Sequence, residues 1–250
     1  MVIKTTQTMK LITRYLLACL LVTGAAYIFA TPKAIAQQKV EDRHLSGFNA
    51  LDVGGPFDVK LTQGQTESVK VEAPEDVIGK VTTEVVNGTL KVYNKHNEMF
   101  HFGDLFHHKK ILVYVTAKNI NSIVVSGSGD VKFTEGIHGD KMNLHVSGSG
   151  DLDGAVEVKN LETSISGSGD VRLSGHAETS AVRVSGSGDY SARGLITSNT
   201  DVHVSGSGDA KIYASNKVDA SVSGSGDISY SGHPKNVYKS KSGSGDIGGD

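Results

Sequence analysis

Apolar and polar residues alternate with a period of two along the second half of the chain. Ile123 and Val125 share one parity with Gly127 and Gly129, while the other parity carries serine, aspartate and lysine. A strand with one buried face produces this alternation, because successive side chains point to opposite sides of a sheet. The pattern therefore predicts strands over residues 120–250, with the glycines on the inward parity.

The pentapeptide Ser-Gly-Ser-Gly-Asp occurs seven times in this region, at spacings of 21, 19, 19, 20, 18 and 19 residues. A near-constant period indicates stacked repeats. A unit of about 19 residues is too short for a strand-helix-strand unit, which needs roughly 30. The predicted fold is therefore all-β: a parallel β-helix, or β-solenoid, with coils of about 19 residues.

The residue before each pentapeptide is apolar and β-branched in six copies and lysine in the seventh, Lys241. Lys239 has the same parity as Lys241. Ammonium groups at two positions that the other coils fill with core residues predict a polar cap on the last coil.

The first third of the predicted domain, residues 45–119, is strand-rich but less regular. The segment 51–64 aligns without a gap on 123–136, which predicts an additional, degenerate coil with Phe57 in the place of Gly129. Asn87-Gly88 lies between two strand-like runs and predicts an antiparallel hairpin. Residues 95–109 interrupt the strand pattern and are expected to form an insertion.

The N-terminal segment has the features of a cleaved export signal. A basic stretch is followed by an apolar run of about 16 residues and by Ala34-Ile35-Ala36, a signal-peptidase pattern. A membrane-spanning helix needs about 20 apolar residues, so no membrane anchor is expected in the mature chain. The predicted organisation is a signal peptide over 1–36, a short segment over 37–44, and a single solenoid domain over 45–250.

Removal of residues 1–36 would leave 21 basic and 27 acidic residues, a net charge near −6. An acidic chain does not favour nucleic acid as a partner. The single cysteine lies in the predicted signal, so neither a disulfide nor a thiolate nucleophile is expected in the mature chain.

The segment from Phe48 to Gly64 and the repeated Val-Ser-Gly-Ser-Gly-Asp together resemble the head GIN domain family of auto-transporter adhesins. The resemblance runs from about Phe48 to the end of the sequence. It implies a β-helical domain in the envelope or on the outside of a Gram-negative bacterium, with adhesion as its role.

The aspartates of the repeats are the first candidate site, because a stacked solenoid would place them in a column of like charges about 4.8 Å apart. In one interpretation each carboxylate accepts backbone N–H groups, helped by the basic residues Lys132, Arg172 and Lys211. In the other a cation such as Ca²⁺ is bound. The spacing differs by one residue from that of calcium-binding nonapeptide repeats, which favours the first interpretation.

The outward serines would add parallel rows of hydroxyls, suited to binding a sugar or an ice surface, or simply to contact with water. The serines and aspartates that form the candidate ligand-binding ladder are Ser126, Ser128, Asp130, Ser147, Ser149, Asp151, Ser166, Ser168, Asp170, Ser185, Ser187, Asp189, Ser205, Ser207, Asp209, Ser223, Ser225 and Asp227.

Four histidines interleaved with phenylalanines form a weaker candidate for a Zn²⁺ or Cu²⁺ site. Their spacing is irregular and cysteine is lacking, so an insertion that packs its aromatic side chains on the solenoid is the favoured interpretation. These histidines are His96, His101, His107 and His108.

Two classes of function remain. The first is a non-catalytic, adhesin-like module that binds a glycan, a protein or a second copy of itself and requires no cofactor, with a calcium-binding solenoid as a variant. The second is a carbohydrate-active β-helix enzyme. Catalysis needs a unique set of perturbed groups. The acidic residues instead repeat identically in every coil, so we expect no catalytic residues and an exported binding protein of the periplasm, the outer surface or the extracellular space.

Overall fold

The computed structural model describes residues 38–94 and 110–250, and almost all of them are in strands or tight bends. The predicted signal peptide, residues 1–36, and the whole predicted insertion, residues 95–109, lie outside these residues. The strands are β1 (Gln38–Asp42), β2 (Ala50–Gly54), β3 (Asp58–Gln63), β4 (Ser68–Pro74), β5 (Val81–Val86), β6 (Thr89–Asn94), β7 (Leu112–Ala117), β8 (Ser122–Val125), β9 (Val131–Val146), β10 (Leu152–Ile165), β11 (Val171–Val184), β12 (Tyr190–Val204), β13 (Ala210–Tyr213), β14 (Lys217–Gly224), β15 (Ile228–Ser231), β16 (Asn236–Gly243) and β17 (Ile247–Gly249). One short helix, α1 (Glu75–Ile78), lies between β4 and β5.

The second half of the chain forms the predicted parallel β-solenoid. Each coil pairs in parallel with the next, so that Leu152 in β10 lies opposite Val171 in β11, which lies opposite Tyr190 in β12. These partners are 19 residues apart, the period of the repeats. The prediction of about 19-residue coils is confirmed.

Aliphatic side chains stack from coil to coil and make up the core. In one such column the residues that precede the pentapeptides lie opposite one another, and at most 1% of the surface of each is exposed. They are Val125, Val146, Ile165, Val184, Val204 and Val222. Burial of an aliphatic side chain contributes about 1.5–3 kcal/mol relative to exposure. The core therefore consists of many small, similar contributions, one set for each coil.

The pentapeptides are bends rather than the continuous strand that the alternation predicts. In the first five copies the strands end at the residue before the first serine and resume after the aspartate. The second glycine is buried, but the first is only half-buried, so the prediction that both glycines face inward holds for the second alone.

Glycine is required in these bends because successive coils approach closely there. A Cβ built on Gly186 would collide with the carbonyl oxygen of Gly167 in the preceding coil, and a Cβ on Gly188 would collide with that of Gly169. The collision is along the stack, from backbone to backbone. The glycines therefore set the close contact between coils.

The degenerate coil of the first third is present and stacks as the alignment predicts. Leu51 in β2 lies opposite Ile123 in β8, and Val59 in β3 lies opposite Val131 in β9. The Phe57 side chain is completely buried, so a ring fills the core of this coil as expected. Coil β2–β3 thus contacts coil β8–β9 directly, although the residues between them include four strands.

Those four strands complete the other end of the solenoid. β6 and β7 pair in parallel with β2 and β3 on the side away from β8 and β9. β5 and β6 form the predicted hairpin, with Asn87 and Gly88 both at positive φ in the turn. β4 lies antiparallel between β7 and β1. Antiparallel strands therefore cover the first coils.

The last coil is polar, as the two lysines predict. Every residue of β16 is exposed. Lys241 lies opposite the core residue Val222, and its Nζ turns to the carboxylate of Asp246 at 2.5 Å. Lys239 Nζ donates to the carbonyl oxygen of Ile247 at 3.1 Å.

Candidate functional site

The column of pentapeptides is the most regular exposed feature of the described residues. The strands before and after each bend are fixed by parallel pairing, so equivalent serines and aspartates lie directly above one another along one corner of the solenoid. The predicted serines are all exposed except Ser205, which is half-buried. The structure thus brings the predicted ladder residues together in one column.

The bends are joined to each other by backbone hydrogen bonds. Ser149 N and Gly150 N both donate to the carbonyl oxygen of Gly127, at 3.0 and 3.2 Å, and the same arrangement recurs in the following coils. The serine hydroxyls contribute little to this network. Within the described chain, the second serine of each repeat is exposed and makes no side-chain hydrogen bond, so its hydroxyl is accessible to water or to a ligand.

The aspartates form a second, side-chain ladder. Each backbone N–H donates to the carboxylate of the equivalent aspartate in the coil before it, for example Asp151 N to Asp130 Oδ1 at 3.0 Å and Asp209 N to Asp189 Oδ1 at 2.8 Å. A charge-assisted hydrogen bond of this kind offsets part of the repulsion between neighbouring carboxylates. The carboxylates thus tie successive coils together.

Asp58 is a member of this ladder that the sequence prediction missed. Asp130 N donates to Asp58 Oδ1 at 3.3 Å. The gap-free alignment of 51–64 on 123–136 already places Asp58 on Asp130, and this was the signal that could have identified it. Including Asp246, eight aspartates stand in the column.

Of the three basic residues expected to neutralise the column, only Arg172 does so. Its guanidinium pairs with Asp151 at 3.1 Å and with Asp170 at 2.7 Å, and the hydrogen bond to Asp151 raises the pKa of Arg172. Lys132 and Lys211 make no ion pair with any described residue, so the expectation for them is wrong. Their alkyl chains are long and exposed, and a fixed position would cost side-chain entropy.

Two lysines that were not predicted pair with the ends of the column. Lys110 Nζ lies 3.1 Å from Asp58, and Lys241 lowers the pKa of the Asp246 carboxyl through their hydrogen bond. No basic side chain of the described residues pairs with Asp189, Asp209 or Asp227. The column is therefore paired with a cation at both ends and at Arg172, and Asp189, Asp209 and Asp227 form its longest run of carboxylates without a cationic partner among the described residues.

The described residues contain no group of three His, Cys, Asp or Glu side chains arranged to hold a metal ion. The four histidines His96, His101, His107 and His108 lie outside the described residues. The calcium and zinc alternatives thus remain predictions.

The fold and the column define a β-solenoid whose repeats present one uniform polar corner. Residues 47–234 match the family described as "Putative auto-transporter adhesin, head GIN domain", and the chain belongs to this family. No curated protein matches the sequence significantly.

Solved structures from Bacteroides and Parabacteroides species share the fold. A "putative adhesin" from Bacteroides fragilis is 25% identical, with a TM-score of 0.80 over 86% of this chain and 97% of its own. A "putative adhesin" from Parabacteroides merdae is 21% identical, with a TM-score of 0.69 over 86% and 97% of the two chains. A "putative lipid binding protein" from Parabacteroides distasonis is 23% identical, with a TM-score of 0.66 over 86% and 98%.

Among residues 38–94 and 110–250, no helix has the length and apolar character needed to cross a membrane.

Proposed function

We propose that this protein is an exported, non-catalytic adhesin-like module that binds a ligand of a cell or matrix surface through the serine and aspartate column. The family supports an adhesin-like role at the surface or outside the cell. The observation that carries the proposal is the set of second serines, whose hydroxyls are exposed, evenly spaced and without a hydrogen-bond partner among the described residues. A ligand with repeating polar groups would satisfy these hydroxyls along the column.

The chemistry of the described residues supports binding over catalysis. The residue with the most strongly perturbed pKa is Tyr190, whose pKa burial raises to about 12, and its side chain is sealed in the core with 1% exposure. Substrate has no access to it. The exposed carboxylates repeat from coil to coil, whereas catalysis concentrates on a few residues placed around one reacting bond.

The test is a series of variants in which serine hydroxyls are removed coil by coil, with the aspartates kept because they bind the next coil. Ser185→Ala with Ser187→Ala removes one pair, and further pairs extend the change to neighbouring coils. A glycan array and a panel of immobilised matrix proteins supply the targets. Each hydroxyl contributes about 0.5–1.5 kcal/mol, so affinity should fall progressively with the number of coils changed.

Thr134→Ala with Ser174→Ala is the matched control, because it removes two exposed hydroxyls outside the column. This variant should bind as the native protein does. Complete loss of binding from one coil, with no effect of its neighbours, would indicate a single localised site and contradict the proposal. Unchanged binding in every coil variant would exclude the column as the binding surface.

A further inference from the structure

A shallow cavity of about 340 Å³ lies at the N-terminal end of the serine column. Its lining includes Asp52, Gly54, Glu84, Lys91, Tyr93 and Ser126. Ser126 is the first serine of the column, so the cavity and the column form one continuous polar surface.

Strand pairing builds the cavity from three adjacent strands. Asp52 in β2 lies opposite Lys91 in β6, and Lys91 lies opposite Glu84 in β5. In the neighbouring row Gly54 lies opposite Tyr93. A Cβ built on Gly54 would lie 3.4 Å from Ser126 Oγ and 3.9 Å from Tyr93 Cβ. The missing side chain of Gly54 therefore leaves a notch between an aromatic ring and a hydroxyl.

The aromatic wall of this notch is held in place. The Tyr93 hydroxyl donates a hydrogen bond to Glu84 Oε1 at 2.9 Å, and the residue is half-buried. A ring fixed in this way offers a flat apolar surface with little entropy to lose on binding.

The remaining polar groups of the cavity are uncommitted. Asp52 and Lys91 make no hydrogen bond or ion pair with any described residue, although they lie on paired strands. Ser126 Oγ makes only a long contact of 3.4 Å with the carbonyl oxygen of Val53. One carboxylate, one ammonium group and one hydroxyl are thus free to bind a ligand beside the ring.

We propose that this cavity binds a single ring of a neutral saccharide, with an apolar face of the sugar against Tyr93 and its hydroxyls bonded to Asp52, Lys91 and Ser126. The inference rests on the proposed binding function and names its ligand class at one end of the column. Two carboxylates with one lysine disfavour an anionic ligand, and the lysine disfavours a cation. Alternating donors and acceptors around an aromatic face match a polyhydroxylated ring, and the volume suits a small ligand.

The experiment is an NMR titration of the mature protein with methyl glycosides of glucose, galactose and mannose and with N-acetylglucosamine. At least one of these sugars should shift the backbone amides of Gly54, Tyr93 and Ser126. Gly54→Val should weaken that binding by about tenfold or more, because it fills the notch at ordinary contact distances. Tyr93→Ala should have a similar effect by removing the wall.

Gly139→Val is the matched control, since Gly139 is exposed and a Cβ there meets nothing within 4 Å. It should bind the sugar as the native protein does. The proposal is overturned if no sugar shifts the cavity amides, or if both Gly54→Val and Tyr93→Ala bind with native affinity.

The same titration separates this inference from the proposed function. Shifts confined to residues 185–189 would overturn the cavity and leave the column as the binding surface. Loss of sugar binding in Gly54→Val would support the cavity as a saccharide site. If the serine-column variants kept their full affinity for the array targets, the column would be refuted as the binding surface, but the cavity would not.

Discussion

The backbone N–H of Asp130 donates a hydrogen bond to the carboxylate of Asp58, a residue 72 positions earlier in the chain. All the other bonds of the aspartate ladder join residues 18 to 21 positions apart. Coil β2–β3 therefore stacks directly on coil β8–β9, although four strands separate the two coils in the sequence. Those strands add coils and antiparallel cover at the N-terminal end without disturbing the register of the column.

The close contacts of the glycines predict that valine substitutions at two adjacent residues of one bend will have very different effects on the free energy of unfolding. Gly186→Val should lower the free energy of unfolding by about 1–3 kcal/mol or more, because the new side chain would meet the backbone of the preceding coil. Ser187→Val points into solvent and should cost much less. Chemical denaturation measures both. Gly139→Val serves as the control for the glycine-to-valine change itself, and equal losses at Gly186 and Gly139 would contradict the close-contact explanation.

The hydrogen bonds of the aspartate ladder predict that the acceptor oxygen of each aspartate contributes more to the free energy of unfolding than its negative charge does. Asp189→Ala removes the acceptor of the Asp209 N–H and should destabilise the protein by about 1 kcal/mol. Asp189→Asn keeps an oxygen in place and should cost less. Urea denaturation of the two variants gives the comparison, with Asp153→Ala as a control carboxylate outside the column. Equal effects of alanine and asparagine would mean that the charge itself is required.

Removal of divalent cations should leave the thermal stability unchanged. The carboxylates of the ladder already accept backbone N–H groups, so a cation is not needed to hold them in place. A ligand bound only to the folded state would add stability according to its concentration and affinity. The measurement is the melting temperature in EDTA and after addition of Ca²⁺. A fall of many degrees in EDTA that Ca²⁺ reverses would favour the calcium-binding alternative.

The core hydroxyl of Tyr190 predicts a loss of stability in alkali. Burial raises the pKa of Tyr190 to about 12, whereas an unfolded tyrosine has a pKa of about 10. Between these two values the phenol is neutral in the folded state and ionised in the unfolded state. The stability that Tyr190 contributes relative to strong alkali is therefore fully present below pH 10 and is lost as the pH rises through 12. The free energy of unfolding should fall by roughly 3 kcal/mol over that range.

Tyr190→Phe isolates this effect, since every other alkaline titration is common to both proteins. The Tyr190 hydroxyl, like those of Ser180 and Thr163, is buried without a hydrogen-bond partner. At neutral pH the variant should therefore differ by no more than about 1 kcal/mol. Urea denaturation at a series of pH values gives the free energy of unfolding of both proteins. If this free energy fell equally in both between about pH 10 and 12, the burial of a neutral phenol would be contradicted.

The polar last coil predicts that its lysines keep copies of the solenoid apart. β16 pairs only with β14 among the described strands, and an edge strand of this kind tends to pair with another chain unless charges prevent it. Replacing Lys239 and Lys241 with valine should promote association through this edge. Sedimentation velocity measures it. Lys235→Val, in the turn before β16, is the control, and a monomeric double variant would refute the role of the two lysines.

Much of the fold follows from local patterns in the sequence. The period of the pentapeptide predicts the coil length, the alternation predicts the buried positions, and Asn87-Gly88 predicts the hairpin. The alignment of 51–64 on 123–136 predicts the degenerate coil, in which Leu51 is equivalent to Ile123. Each of these signals lies within a short stretch of chain or in the similarity of two stretches, and local geometry or repetition is enough to interpret it.

The candidate site was predicted in its membership but not in its contacts. Sequence alone places the serines and aspartates in one column, because equivalent positions of stacked coils coincide. It did not show which cations approach them. Arg172 and Lys132 occupy equivalent positions after their aspartates, yet only Arg172 forms ion pairs. Its planar guanidinium can bridge two carboxylates at once, whereas the single ammonium group of a lysine gains little at an exposed site.

The sequence by itself determined the repeat, the buried parity and the polar corner, since these depend on residue type and spacing. Only the tertiary structure decided that Ser-Gly-Ser-Gly-Asp is a bend and that a Cβ on either of its glycines would meet the backbone of the preceding coil. It also decided that β2 and β3 stack on β8 and β9, and that Gly54 opens a cavity beside Tyr93. These features arise from hydrogen bonds and contacts between coils, which join residues far apart in the chain. A period-two alternation continues unchanged through the five residues of the bend, so the alternation gives no sign that the chain turns there.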